Sequence, residues 1–254
     1  MEEKSTALAR YSRPALPQSV SRQLRQEAGF GCAKCGHPYI EYHHIIPFVE
    51  EKHFRPEDMI ALCGNCHPSV GKQGRDRQYK LKASPHNKKT GRFSGALEFD
   101  KRDLIFKVGG SWYENIQNII QLHDTPIIKC RIEDGQALVS ICIMDSQFRP
   151  LLSIEDNQVS FRVSDIWDFS YQHNVAVVRY GKGKIALKID FRGPEATIEG
   201  TLNVGNRIMI LGADEAQIPG GATIRGMRVS NGFTGIQLGD PDFPLPKYSA
   251  WPRL

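Results

Sequence analysis

No run of about 18 apolar residues occurs anywhere in the 254-residue chain, which excludes a membrane-spanning helix. The first ten residues, MEEKSTALAR, lack the apolar core of a secretory signal. Cysteine is scarce. Of six cysteines, four sit in two Cys-x-x-Cys pairs, too few and too clustered for a disulfide framework. These absences predict a cytoplasmic protein whose thiols bind metal. The remaining two, Cys130 and Cys142, lie in apolar, strand-like runs; a bridge across a hairpin is geometrically conceivable, but buried free thiols are the expected state.

Excess charge is missing from most of the chain. Residues 1 to 100 hold sixteen Lys and Arg against eleven Asp and Glu, whereas the other 154 carry seventeen of each. The net +5 therefore belongs to the N-terminal part, and it points that part toward a polyanionic partner.

What is present is concentrated in residues 31 to 71, GCAKCGHPYIEYHHIIPFVEEKHFRPEDMIALCGNCHPSVG. Two knuckles, Cys32/Cys35 and Cys63/Cys66, supply the four thiolates of a closed tetrahedral zinc site. Such thiolates are too soft to suit Mg²⁺. Between and after them stand His43, His44 and His67, left over for other work. The run YIEYHHII reads as a strand ended by Pro47, so the neighbouring histidines face opposite ways. The run 59 to 62 leads into the second knuckle, and Cys66-His67-Pro68 opens a short helix.

Around this core the chain divides. Residues 1 to 13 read as a polar arm, and residues 17 to 28 as a helix stopped by Gly29 and Gly31, with Arg22 and Arg25 on an exposed face. Residues 72 to 92 carry eight basic residues, Lys72, Arg75, Arg77, Lys80, Lys82, Lys88, Lys89 and Arg92, against Asp76 alone. That composition suits a phosphate backbone, and equally a flexible solvated linker. From residue 93 short β-rich runs alternate with turn signals such as Asp134-Gly135, Gly193-Pro194 and Gly205-Asn206, which predicts an all-β domain, a sandwich or a β-helix-like stack. One echo stands out there. Gly110, Asn115, Ile120, Gln121 and Leu122 recur as Gly226, Asn231, Ile236, Gln237 and Leu238 at a constant offset of 116, as coils of a parallel β-helix would. The tail, DPDFPLPKYSAWPRL, reads as extended and laid along the β domain through Trp251. The division is thus 1–75, a basic linker 76–92, and 93–254, an α+β chain overall.

The other histidines have plainer readings. His37 braces the first knuckle, His53 sits exposed in a charged loop, and His86, His123 and His173 are surface or satisfied core. Trp167 reads as β-domain core rather than a base-stacking platform.

The knuckle spacing, the His-His-Ile-x-Pro run and the terminal Cys-His together make residues 20 to 75 resemble the zinc-containing HNH endonucleases, built on a ββα-metal finger. That resemblance implies a DNA-cleaving hydrolase of bacterial defence or restriction. His44 would be the general base, and His43 and His67 the ligands of a catalytic Mg²⁺ or Mn²⁺, apart from a structural zinc on the four cysteines. Position 58 departs from the pattern, since Asp58 stands where the family usually has Asn and lacks the amide's donors. Either the loop is held differently or Asp58 adds charge near the metal. A zinc-stabilised finger that binds nucleic acid without cutting is the competing reading. The neutral β domain would read a regulatory ligand or a partner protein, and homo-oligomerisation stays open.

Overall fold

The computed structural model describes residues 14–99 and 105–245. The arm at 1–13, Leu104 at the head of a predicted strand, and Trp251 in the tail lie outside the described residues.

The N-terminal part is small and mixed. Helix α1 (Gln18–Ala28) starts behind Pro17 and ends at Gly29, whose φ of 69° is the left-handed turn that glycine allows. Strand β1 (Glu41–His44) pairs antiparallel with β2 (Met59–Leu62), placing His43 opposite Ile60 and His44 opposite Met59. Helix α2 (His67–Gly71) follows the second knuckle. The predicted flexible linker is instead helical, as α3 (Arg75–Ala83) and α4 (His86–Thr90). The physical reason is that polar side chains lock both helices to the finger. Buried Asn87 of α4 donates to the Gly29 carbonyl at 2.9 Å, the His86 amide donates to the Ala33 carbonyl at 2.8 Å, and buried Gln78 of α3 faces His43.

The rest is β. In chain order the strands are β3 (Arg92–Ala96), β4 (Ile105–Val108), β5 (Ser111–Glu114), β6 (Asn118–Leu122), β7 (Thr125–Glu133), β8 (Gln136–Met144), β9 (Pro150–Glu155) and β10 (Gln158–Arg162). They continue as β11 (Asp168–Gln172), β12 (Val175–Gly181), β13 (Lys184–Asp190), β14 (Ala196–Val204), β15 (Arg207–Leu211), β16 (Ala216–Gln217), β17 (Thr223–Ile224), β18 (Arg228–Ser230) and β19 (Thr234–Leu238). One open sheet runs β19-β6-β7-β8-β9-β10-β3 and another β11-β12-β13-β14-β15-β16-β17. Side chains buried from both sheets, from Phe93, Val139 and Ile141 to Phe169, Leu187 and Ile189, form one contiguous core. Two-residue turns with both φ positive, Asp134-Gly135, Asp156-Asn157 and His173-Asn174, match the right-handed twist of the hairpins they close.

The offset of 116 has a direct structural meaning. Strands β5 and β18 pair in parallel with Trp112 on Arg228 and Glu114 on Ser230, and β6 pairs with β19 with Ile120 on Ile236 and Leu122 on Leu238. Asn115 Nδ2 donates to Asn231 Oδ1 at 3.2 Å across the coils. The echoing segments are thus stacked in register, with the intervening hairpins folding out between them. Strand β6 is buried at every position and shows none of the alternation that marks a half-exposed strand.

Cys130 and Cys142 are free and buried, and burial pushes both thiols up to about 12. Among the described residues no helix is long and apolar enough to cross a membrane.

Candidate active site and metal centre

The four knuckle cysteines converge. Their sulfurs all lie within 4.8 Å of one another, with Cys35 Sγ 3.6 Å from Cys63 Sγ and 3.7 Å from Cys66 Sγ. A tetrahedral zinc with bonds of ~2.3 Å sets its sulfurs ~3.8 Å apart, so the set fits a structural zinc. Local backbone turns build it. The Gly36 amide donates to the Cys32 carbonyl at 2.8 Å and the Cys66 amide to the Cys63 carbonyl at 3.0 Å, while the Ala33 amide reaches the Ala61 carbonyl on β2. The backbone carbonyl of His37 accepts from the Cys32 amide at 2.9 Å, while its ring Nδ1 accepts from the Tyr39 amide at 3.2 Å. Gly36 has a φ of 81°, and a Cβ there would press into Asn87 at 2.5 Å, so α4 also fixes this turn.

The three finger histidines separate as the strand pleat requires. His43 turns toward α2 and α3, where its Nδ1 lies 2.9 Å from His67 Nε2 and its Nε2 lies 2.9 Å from Gln78 Oε1. Gln78 Nε2 donates to the Gln73 carbonyl at 2.8 Å, so its oxygen faces His43 and accepts from Nε2–H. The lone pair of His43 is therefore on Nδ1. Glu41 Oε2 is 2.7 Å from His67 Nδ1 and accepts its proton. The 2.9 Å between His43 Nδ1 and His67 Nε2 is closed as a hydrogen bond when His67 carries a proton on Nε2 as well, and it is also a separation that two ligands of one cation can take. Adjacent ligands of an octahedral Mg²⁺ with bonds of ~2.1 Å stand ~3.0 Å apart, so the pair also fits a hard divalent ion geometrically. Burial, followed by the neighbouring His67, lowers the His43 pKa.

His44 occupies the opposite face and is buried, 7% exposed. Its Nε2 lies 3.0 Å from the His53 carbonyl, an acceptor, so Nε2 carries the proton and Nδ1 is the basic nitrogen. Phe48 packs edge-on and Phe54 tilted against it, with ring centroids at 5.5 and 6.0 Å. His53, expected in solvent, is in fact 7% exposed. Its Nε2 meets the Ile46 carbonyl at 3.0 Å and its Nδ1 accepts from the Arg55 amide at 3.2 Å, which closes the loop from β1 to β2 around His44.

Asp58 resolves in favour of a differently held loop. Its carboxylate accepts from Arg55 Nε at 2.8 Å and from the Tyr79 hydroxyl at 2.7 Å, and its backbone carbonyl accepts from the Ile45 amide at 2.8 Å. The Tyr79 bond first and Arg55 after it hold the carboxyl below its ordinary value. Arg55 is itself paired with Glu51. Both Asp58 oxygens are thus taken up as acceptors by its neighbours.

Of the basic residues, Lys72, Arg75, Arg77, Lys80, Lys88, Lys89 and Arg92 are exposed, while Lys82 is partly buried against Glu27 and Arg75 pairs with Glu50. Arg75, Arg77, Lys80 and Lys82 lie on α3 and Lys88 and Lys89 on α4, while Lys72 follows α2 and Arg92 opens β3.

Residues 31–73 match the HNH endonuclease family. The HNH match covers both knuckles and all three finger histidines and stops short of α3. No curated protein and no solved structure matches the chain.

Several residues that shape the HNH site went unread. Glu41 was within reach, since it precedes His43 by two on the same strand and so shares its face. Gln78 and Tyr79 arrive through α3 from 21 to 35 positions away, and no local pattern marks them. Arg22 and Arg25, expected in solvent, turn instead into the β domain at Asp168.

Proposed function

We propose that the protein is a metal-dependent HNH endonuclease that hydrolyses phosphodiester bonds in DNA. The observation that carries the reading is the facing pair of His43 Nδ1 and His67 Nε2 at 2.9 Å, each turned by its own partner, behind a strand whose other face holds His44.

In this reading His44 is the general base. The His53 carbonyl fixes its proton on Nε2, so Nδ1 takes the proton of the attacking water, and Phe48 and Phe54 hold the ring plane. His43 and His67 hold the Mg²⁺ or Mn²⁺, which when bound supplies charge stabilisation at the scissile phosphate and the leaving 3′ oxygen. Glu41 and Gln78 orient those two rings from behind, the part that outer partners play at metal sites. Cys32, Cys35, Cys63 and Cys66 hold a zinc that fixes the finger. Asp58 belongs to the loop scaffold rather than to the metal, because Arg55 and Tyr79 occupy its oxygens. Exposed Lys72, Arg77, Lys80, Lys88, Lys89 and Arg92 give the DNA backbone its counter-charge. The β domain serves targeting, sensing or assembly, in a bacterial defence or restriction role taken from the resemblance.

Supercoiled plasmid incubated with the protein and Mg²⁺ or Mn²⁺ tests the reading. Nicked or linear product is expected, and His44→Ala is expected to abolish it with zinc content unchanged. Cleavage that survives His44→Ala would sink the assigned mechanism. DNA binding without any cleavage under every metal would leave a non-catalytic zinc finger as the function.

A further inference from the structure

Asp168, at the start of β11, is fully buried and has no part in the chemistry proposed above. Three arginines converge on it. Arg25 of α1 grips it bidentately, Nε to Oδ1 at 2.9 Å and NH2 to Oδ2 at 2.8 Å, with Arg22 Nε at 3.7 Å and Arg179 NH1 at 3.5 Å from Oδ2. Two of these arginines come from the finger's helix and one from β12, so the carboxylate is shared between the two parts of the chain. Gln26 adds a bond to the Trp167 carbonyl at 2.7 Å, and the Arg22 guanidinium lies 4.8 Å above the Trp167 ring.

The contact does not end at docking. The remaining terminal nitrogen of Arg25, NH1, donates to the Tyr42 hydroxyl at 3.0 Å. One planar guanidinium therefore spans from the β domain to strand β1 with all three of its nitrogens engaged, which leaves it no freedom to swing. Tyr42 precedes His44 by two residues, so the two side chains share one face of β1. Strand β1 has four residues and, among the described residues, pairs only with β2, and a two-stranded ribbon of that length is marginal by itself. Its opposite face is tied through Glu41 and His43 to α2 and α3; the His44 face is tied through Tyr42 to Arg25.

We infer that Asp168 is a positioning residue: through Arg25 and Tyr42, the β domain sets the place of the strand that carries His44. The β domain then does more than address the finger to a target. A ligand or partner that displaces β11 or Trp167 would loosen Arg25 and with it the base. The catalytic part of this inference rests on the nuclease reading; the mechanical part does not.

The full-length chain tests it with Tyr42→Phe, which keeps the ring and removes the hydroxyl, alongside Arg25→Lys and Asp168→Asn. Amide hydrogen exchange over residues 42 to 45 is the first readout, and plasmid nicking is the second. Tyr42→Phe is expected to speed exchange there about ten-fold, with zinc content and protection of β7, β8, β12 and β13 unchanged. It is also expected to lower kcat about ten-fold at constant KM, since a ~1 Å misplacement near the chemistry costs up to about 100-fold. Arg25→Lys, which keeps the charge and loses the fork, is expected to behave likewise. Asp168→Asn is expected to add faster exchange along α1. Exchange changes in a chain that never nicks DNA would support the relay and sink the nuclease reading. Unchanged exchange over residues 42 to 45 in Tyr42→Phe would overturn the inference and leave the arginine cluster a docking contact only.

Discussion

Replacing Cys63 with serine, or stripping the protein with a strong chelator, removes the ion that the four thiolates are arranged to hold. The finger has little else of its own to stand on. Its apolar cluster consists of Cys32, Ala33, Ile45, Ile60, Leu62, Cys63 and Val70. The four large aliphatics among them contribute about 1.5–3 kcal/mol each on burial. A structural zinc brings about 10–16 kcal/mol of apparent folding free energy in zinc-finger peptides, as much as that whole cluster. Domain stabilities are only about 5–15 kcal/mol in total, so losing the ion removes the margin. The β domain has a much larger core, into which Phe30 and Tyr39 of the N-terminal part also pack, and none of its members is one of the four knuckle cysteines. The expected result is a chain in two states at once: residues 31 to 73 lose protection against hydrogen exchange by several orders of magnitude while β7, β8, β12 and β13 keep theirs. Helix α1 is expected to fall between, because the Arg25 grip on Asp168 lies outside the finger cluster. Hydrogen exchange with peptide-level resolution, run beside metal analysis, reads this directly. Full protection of residues 59 to 66 in metal-free protein would refute the reasoning.

Two further outcomes follow from named contacts. The Asp58 carboxyl lies below its ordinary value, so its contribution is complete above about pH 4, the unfolded value, and is lost as pH falls through the lower folded one. Tyr79→Phe removes the main cause and is expected to raise the Asp58 titration midpoint in carboxyl NMR; an unchanged midpoint would show that Tyr79 does not hold this loop. Asn87→Ala leaves the Gly29 carbonyl without its buried donor, and a loss of about 1–3 kcal/mol is expected in urea unfolding of the finger. A loss below about 0.5 kcal/mol would mean that α4 does not buttress the first knuckle.

The sequence by itself determined the metal-binding part of this protein. Cysteines two residues apart must turn back on each other, so Cys32, Cys35, Cys63 and Cys66 are legible as one cluster, and adjacent histidines on a strand must part, so His43 and His44 face opposite ways; the roles given to those histidines come from the family resemblance. The offset of 116 was legible too, because stacked coils repeat the same residues at the same places. The tertiary structure decided which partners those residues meet. Gln78 on His43, Tyr79 on Asp58 and Asp168 on Arg25 are separated by 35, 21 and 143 positions, and a pairing across that distance leaves no periodic trace. The same holds for residues 75 to 90, whose charge alone suits a solvated tether and whose helices exist because Gln78 and Asn87 find buried partners in the finger. Arg22 and Arg25 sit on a helix face that reads as solvent-exposed until a buried carboxylate from another domain is placed against it. Local spacing fixes which atoms can bind a metal; only packing between distant segments fixes how those atoms are aimed.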